Sequence, residues 1–325
     1  MLELHFINVA DGDAILIEDR NESSGAVFRL LVDTGQPMLD PWPGSLRQTA
    51  AEYLRGKRVD YIDMLVVTHL HVDHFGGLEA LLPEVRFGKA YAGFFPAGSG
   101  ARVAPEPEAQ KTVQGMIDCV NRWAAVTETL RAAGTELCTV TESLSGLRLT
   151  ETLSADIICP SGTLGAVQRL TWEAMLAGRP VTEELKYRVS KSRNPNSLRM
   201  TLTYAGRRVE LAADCFGWVW DSGTLAPCDI LKVPHHGDVK SLTEPLLQKL
   251  RPAWAVISCE AQYIARKDRP SRAAAELLER YGVRCWFTDC FAADWHTPDR
   301  WSSVDFTIYD DGTVLTPDKE VSRYI

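Results

Sequence analysis

The stretch THLHVDHFGG, residues 68–77, sets three histidines and an aspartate within six consecutive positions. The chain has seven histidines in all, and two more stand together in VPHHGD, 233–238. The run ahead of the first cluster, VDYIDMLVVTH, is largely apolar and reads as a buried strand leading straight into a loop. In extended backbone His69 and His71, two apart, point to the same side and can grip one ion. Asp73 and His74 follow a change of direction and can face a second ion beside the first. Gly76 and Gly77 permit the sharp turn into the next helix. Imidazole nitrogen and carboxylate oxygen suit zinc, and also manganese or iron. One loop cannot close such a shell, so further ligands are expected from elsewhere in the chain.

Two later loops offer them. Asp214 ends a strand after the apolar LAA, where a carboxylate has no packing reason to be. It could bridge two metals about 3.5–4 Å apart. His235 and His236 also end a strand, after ILKVP, and Gly237 lets the backbone turn. His236 is the expected ligand of the two; His235 is either a ligand or a substrate contact.

Outward from these loops the chain reads as alternating strands and helices. LELHFINV and AILIE are strands broken by the turn ADGD, and FRLLVDTG is a strand ending in Asp33. SLRQTAAEYLRGK reads as a helix with Ser45 as N-cap, and FGGLEALLPEV as another. A long helix ends at Gly134, and a hairpin around AGR ends in Asp214. Helix–strand units follow, and VDFTIYDDGTVLTP closes as a hairpin. This loose doubling predicts an α/β fold, a four-layer αββα sandwich with the site at one sheet edge. It also predicts one domain over 1–325, with an N-terminal half to about 160, a connecting region over about 98–195, and a C-terminal half from about 195.

The composition is that of a globular protein, 45% hydrophobic and 24% charged. A net charge of −8 argues against nucleic-acid binding over the whole surface, but not against a local basic groove. No apolar run approaches the roughly 20 residues that span a bilayer. The opening MLELHFINVADGD lacks a basic, signal-like start. Eight scattered cysteines without a CxxC pair read as reduced thiols, and a cytoplasmic location with no membrane partner is expected.

The HLHVDH motif with Gly76–Gly77 resembles the metallo-β-lactamase superfamily signature. HFINVADGDAILIE, LLVDTG, NPNSL, LAAD, DILKVPHHGD and WAVISCEAQYIARKDRP occur in the order of its ComEC-like branch, which includes the hydrolase domain of DNA-uptake channels. The resemblance implies two divalent metal ions, zinc with manganese as the alternative, and a nucleophile derived from water. It places His69 and His71 on the first metal, Asp73, His74 and His236 on the second, and Asp214 between them. Asp73 would also take a proton, and His235 would face the substrate and donate to the oxyanion or leaving oxygen. Asp33 would orient a histidine from below, and Asn194 and Ser197 match a polar pair near the site.

Three departures stand out. No histidine occurs between 74 and 235, so the third histidine that many superfamily members place on the first metal is absent. The usual Gly-Gln-Gly-Asp is Ala10-Asp11-Gly12-Asp13, and the histidine usually before Pro270 is Arg269.

Basic residues in KYRVSKSRNPNSLR and ARKDRPSR, notably Lys191, Arg193 and Arg269, suit phosphate recognition. A phosphodiesterase or nuclease is therefore the leading expectation. The alternatives are a hydrolase of small phosphoesters, thioesters or lactones, and a catalytically weak module regulated by a protein partner from the same operon.

Overall fold

The computed structural model describes residues 1–160, 163–220, 225–260, 269–289, 301–319 and 321–322. β1 (Leu2–Ile7), β2 (Ile15–Arg20) and β3 (Val27–Val32) form an antiparallel meander. Leu2, Leu4, Phe6, Ile15, Ile17, Leu30 and Val32 share one face of it, as period-two alternation requires. β4 (Tyr61–Val67), β5 (Arg86–Ala92) and β6 (Glu136–Thr139) then add in parallel. In β4, Met64 and Val66 face one core while Leu65 and Val67 face another. Burial on both faces explains why this strand reads as a continuous apolar run.

The second sheet begins with β7 (Leu144–Arg148), β8 (Leu153–Ile158), β9 (Arg199–Tyr204) and β10 (Arg207–Leu211), paired antiparallel. β11 (Ile230–Lys232), β12 (Trp254–Ile257) and β13 (Arg284–Phe287) extend it in parallel. The chain then returns to the first sheet. β14 (Ser303–Ile308) pairs with β1, Phe306 opposite Leu4, and β15 (Val314–Leu315) and β16 (Val321–Ser322) follow. The sheet orders are β16-β15-β14-β1-β2-β3-β4-β5-β6 and β13-β12-β11-β10-β9-β8-β7.

Three cores separate four layers. Residues of both sheets, among them Phe6, Val66, Met200, Val256 and Phe306, interdigitate in the middle. On the outer face of the first sheet lie α1 (Ala50–Gly56), α2 (Val72–Phe75), α3 (Leu78–Leu81), α4 (Lys111–Ala132), α5 (Thr163–Leu176) and α6 (Glu183–Lys191). α7 (Glu244–Leu250) and α8 (Arg272–Arg280) cover the second sheet. The fold is a four-layer αββα sandwich. No described helix is long and apolar enough to cross a membrane.

Two helix expectations are corrected. α1 is capped by Thr49, whose hydroxyl accepts from the Glu52 N–H while the Glu52 carboxylate accepts from the Thr49 N–H. Ser45 lies upstream, hydrogen-bonded to Asp289. The single helix read over FGGLEALLPEV is instead two one-turn helices, α2 and α3, meeting at Gly76–Gly77. A Cβ on Gly77 would lie 2.2 Å from the Thr34 carbonyl oxygen, so the chain bends where it presses on the β3 loop.

Candidate metal centre

Strands β3, β4, β10, β11 and β12 all run out toward one edge, and the loops after them meet there. Crevices beyond the carboxyl ends of parallel strands are the usual place for a site in such sheets. Backbone hydrogen bonds lace the loops together. Asp33 N donates to Val66 O (2.9 Å), Leu198 N to Thr68 O (2.9 Å) and His235 N to Ala213 O (2.9 Å). Asp33, Ala213, His235 and His236 all have positive φ, between 48° and 57°, a region costly for residues with a Cβ. Strain of this kind is held only where the surroundings over-determine it, and it collects at functional sites.

Asp214 occupies the centre. Its Oδ1 lies 3.4 Å from His74 Nε2 and 3.5 Å from His236 Nε2, and its Oδ2 lies 3.9 Å from His69 Nε2. Asp73 Oδ2 is 3.6 Å from His236 Nε2 and 3.9 Å from His74 Nε2. Two donor groups result. Asp73, His74, Asp214 and His236 converge on one point, and His69, His71 and Asp214 on another. Asp214 Oδ1, His74 Nε2 and His236 Nε2 are buried without a hydrogen-bond partner among the described residues. Two ligands on one tetrahedral ion at about 2.0–2.1 Å stand roughly 3.3–3.5 Å apart. The spacings and the orphaned atoms fit a cation, and Asp214, facing both groups, is placed to be shared.

The supporting contacts fix the histidine tautomers. His74 Nδ1 donates to Asp33 Oδ2 (2.8 Å) and His236 Nδ1 to the Ser258 carbonyl (3.2 Å), so each Nε2 carries the lone pair inward. Asp33 also accepts from the Thr68 N–H (2.8 Å) and hydroxyl (2.7 Å), and Thr68 Oγ1 lies 3.1 Å from His69 Nδ1. One buried carboxylate thus holds His74 directly and His69 through a threonine. Burial disfavours charge on His74, yet the carboxylates of Asp214 and Asp33 outweigh it and push its pKa well above the ordinary value. His236 is pushed up to about 9 against its burial by Asp214 and Asp11. Burial raises the pKa of Asp214, but the charges of His236 and His74 hold it well below the carboxylate range. The cluster calls for positive charge, as protons or as metal.

Several residues that sequence reasoning left aside belong here. Lys232, fully buried, is paired with Asp13, whose Oδ2 is 3.9 Å from His74 Nδ1. Asp11 Oδ1 lies 3.9 Å from His236 Nδ1. The ADGD turn that carries both acids is pressed onto the histidine loop. A Cβ on Gly12, at φ 146°, would stand 2.3 Å from the Asp73 carbonyl oxygen. Gly12→Ala is therefore expected to cost about 2–4 kcal/mol and to displace Asp73. A lowered urea midpoint together with weakened zinc binding checks this.

The structure disperses other expected contacts. Arg193 is buried, donating to the Leu70 carbonyl (3.1 Å) and to Cys119 Sγ (3.5 Å), so it braces the histidine loop from beneath instead of lining a rim. Lys191 ends α6, its ammonium 5.6 Å from the Tyr187 ring centre. Lys186 is held by Glu106 and Glu183 (2.5 and 2.8 Å), and Arg199 by Glu210 (3.0 Å). Ser197 caps its own turn by donating to the Asn194 carbonyl (2.8 Å). Asn194 Nδ2 reaches Asp214 Oδ2 (3.3 Å) and His235 Nε2 (3.0 Å), and Arg269 Nη1 is 2.7 Å from the same His235 nitrogen. Arg266 and Lys267 of the ARKDRPSR run lie outside the described residues.

This sandwich, with its histidine–aspartate cluster on the shared edge, has the metallo-β-lactamase fold. Residues 37–154 match the beta-lactamase superfamily domain model. ComE operon protein 3 of Bacillus subtilis (strain 168) is 24% identical over 300 residues, covering 88% of this chain and 32% of that protein. The chain thus spans about a third of the length of that curated relative. Solved structures with a similar fold include Igni18, a metallo hydrolase from Ignicoccus hospitalis (13% identity, 95% of this chain and 99% of that one, TM-score 0.47). Another is Zn(2+)-bound PqqB from Methylobacterium extorquens (12%, 88% and 98%, TM-score 0.42).

Proposed function

We propose that the chain is a metal-dependent hydrolase of phosphodiesters, with nucleic acid as the leading substrate class. The observation that carries the metal reading is Asp214, whose two oxygens each face a separate set of imidazoles. In this reading His69 and His71 would hold a first divalent cation, Asp73, His74 and His236 a second, and Asp214 could serve either group. Zinc or manganese suits this donor set, and when bound such a pair supplies an activated water and offsets charge building on phosphoryl oxygens. Asp73 keeps part of its carboxylate open to the cleft, so it can take a proton from an incoming water.

The acid role expected of His235 is not supported by its contacts. Its Nε2 faces the guanidinium of Arg269, which can only donate, so that nitrogen carries a lone pair and no proton. Burial is the main reason its pKa falls, to about 4. His235 acts as a post for Arg269. The arginine brings a fixed positive charge to the site edge, which favours an anionic substrate over a neutral ester.

The test is turnover by purified chain loaded with zinc or manganese. Cleavage of single-stranded DNA and bis-p-nitrophenyl phosphate, lost on chelation, supports the proposal. Intact nucleic acid beside rapid turnover of a small thioester or lactone would reassign it, and inactivity on all of them would leave the regulated-module alternative. Arg269→Ala is expected to raise KM for the phosphodiester roughly 10- to 100-fold, the worth of one charged hydrogen bond. A neutral ester should show little change, and steady-state kinetics on the pair checks it.

A further inference from the structure

The first cation site is short of a donor, because the histidine that would complete it is absent from the sequence between 74 and 235. We propose that the side-chain amide oxygen of Asn194 takes its place. This rests on the two-cation reading above.

Three observations carry it. The 193–198 segment is laced along the first histidine pair: Arg193 Nη1 donates to Leu70 O (3.1 Å), and Leu198 N to Thr68 O (2.9 Å). Asn194 is therefore carried to the His69–His71 side of Asp214. Second, Asn194 Oδ1 is a buried acceptor without a hydrogen-bond partner among the described residues. An amide oxygen out of water and unpaired is destabilising, and a nearby cation removes that penalty.

Third, the amide nitrogen is placed where two donors compete. Asn194 Nδ2 (3.0 Å) and Arg269 Nη1 (2.7 Å) both approach His235 Nε2, which has a single lone pair. Arg269, the nearer donor, takes that lone pair, which leaves the amide nitrogen to Asp214 Oδ2 at 3.3 Å. The amide thus lies against the carboxylate that both donor groups face, with its oxygen still unpaired among the described residues. A neutral amide oxygen in place of an imidazole makes this position a harder, weaker site than its neighbour.

The experiment is zinc titration of the full chain, read as zinc bound per chain by native mass spectrometry, with Asn194→Leu and Asn194→Asp beside the wild type. The wild type should bind two zinc ions, one at least tenfold more weakly. Asn194→Leu should lose that weaker ion, its affinity falling roughly 10- to 100-fold. Asn194→Asp, which offers oxygen but no N–H, should keep both ions. Melting of each variant in chelator establishes that it is folded. Two ions at wild-type affinity in Asn194→Leu would overturn the proposal. So would loss of the weaker ion in Asn194→Asp, because that marks the N–H as the part that matters. A wild type that binds no second zinc would instead overturn the two-cation reading itself.

Discussion

Asp214→Asn is expected to bind no more than one zinc ion per chain and to lose hydrolytic activity by about 10⁴-fold or more, the scale on which members of a catalytic unit fail together. The reason is geometric. Asp214 Oδ1 serves the His74–His236 side and Oδ2 the His69 side. An asparagine offers one oxygen, so it can serve one side only, and its N–H₂ meets the other as a donor facing a lone pair. The folded chain should tolerate the change. Without metal the charges of His236 and His74 stabilise the buried Asp214 carboxylate, so its loss lowers stability without abolishing the fold. The melting temperature in chelator should fall modestly while zinc content drops to one ion or none. Two zinc ions in Asp214→Asn, by mass spectrometry, would remove the shared-ligand reading.

The parts of this arrangement that were legible in the sequence are those set by short-range pattern. His69, His71, Asp73 and His74 stand in one loop, and the apolar run MLVV before them marks a strand buried on both faces. Asp214 and His236 were legible as polar residues ending apolar strands. What stayed hidden depends on contacts far apart in the chain. Ser45 has the composition of an N-cap but is taken by Asp289, 244 positions away, with Arg47 on the same carboxylate. The run KYRVSKSRNPNSLR looks like a phosphate-binding surface, yet Glu106 and Glu210 claim two of its cations and the histidine loop a third. Lys232, inside an apolar strand, gave no sign that its partner is Asp13 in the turn between β1 and β2. His235 and His236 are adjacent in sequence, but consecutive left-handed backbone turns one ring to the cluster and the other to Arg269.

Asp33 shows how a residue outside the donor groups governs them, and its two replacements should fail differently. Asp33→Ala leaves the Thr68 N–H, the Thr68 hydroxyl and His74 Nδ1–H without an acceptor in a fully buried place. Removing one partner of a buried charged network costs about 3–5 kcal/mol, so this variant should show a clearly lower urea midpoint. Asp33→Asn keeps the shape. Its oxygen can still accept from the fixed Thr68 N–H, which turns its amide nitrogen toward His74. A donor at that place favours the other tautomer of His74, with the lone pair on Nδ1 and the proton on Nε2. The nitrogen that should face Asp214 and the cation then carries a hydrogen. Stability should fall only modestly, while zinc affinity drops roughly 10- to 100-fold, as is usual when the partner behind a ligating histidine is changed. Turnover should drop further, toward the ~10⁴-fold that a wrong histidine tautomer costs in serine proteases. Urea unfolding and zinc titration on the two variants separate the effects. Wild-type zinc affinity in a folded Asp33→Asn protein would show that His74 does not depend on Asp33 for its tautomer.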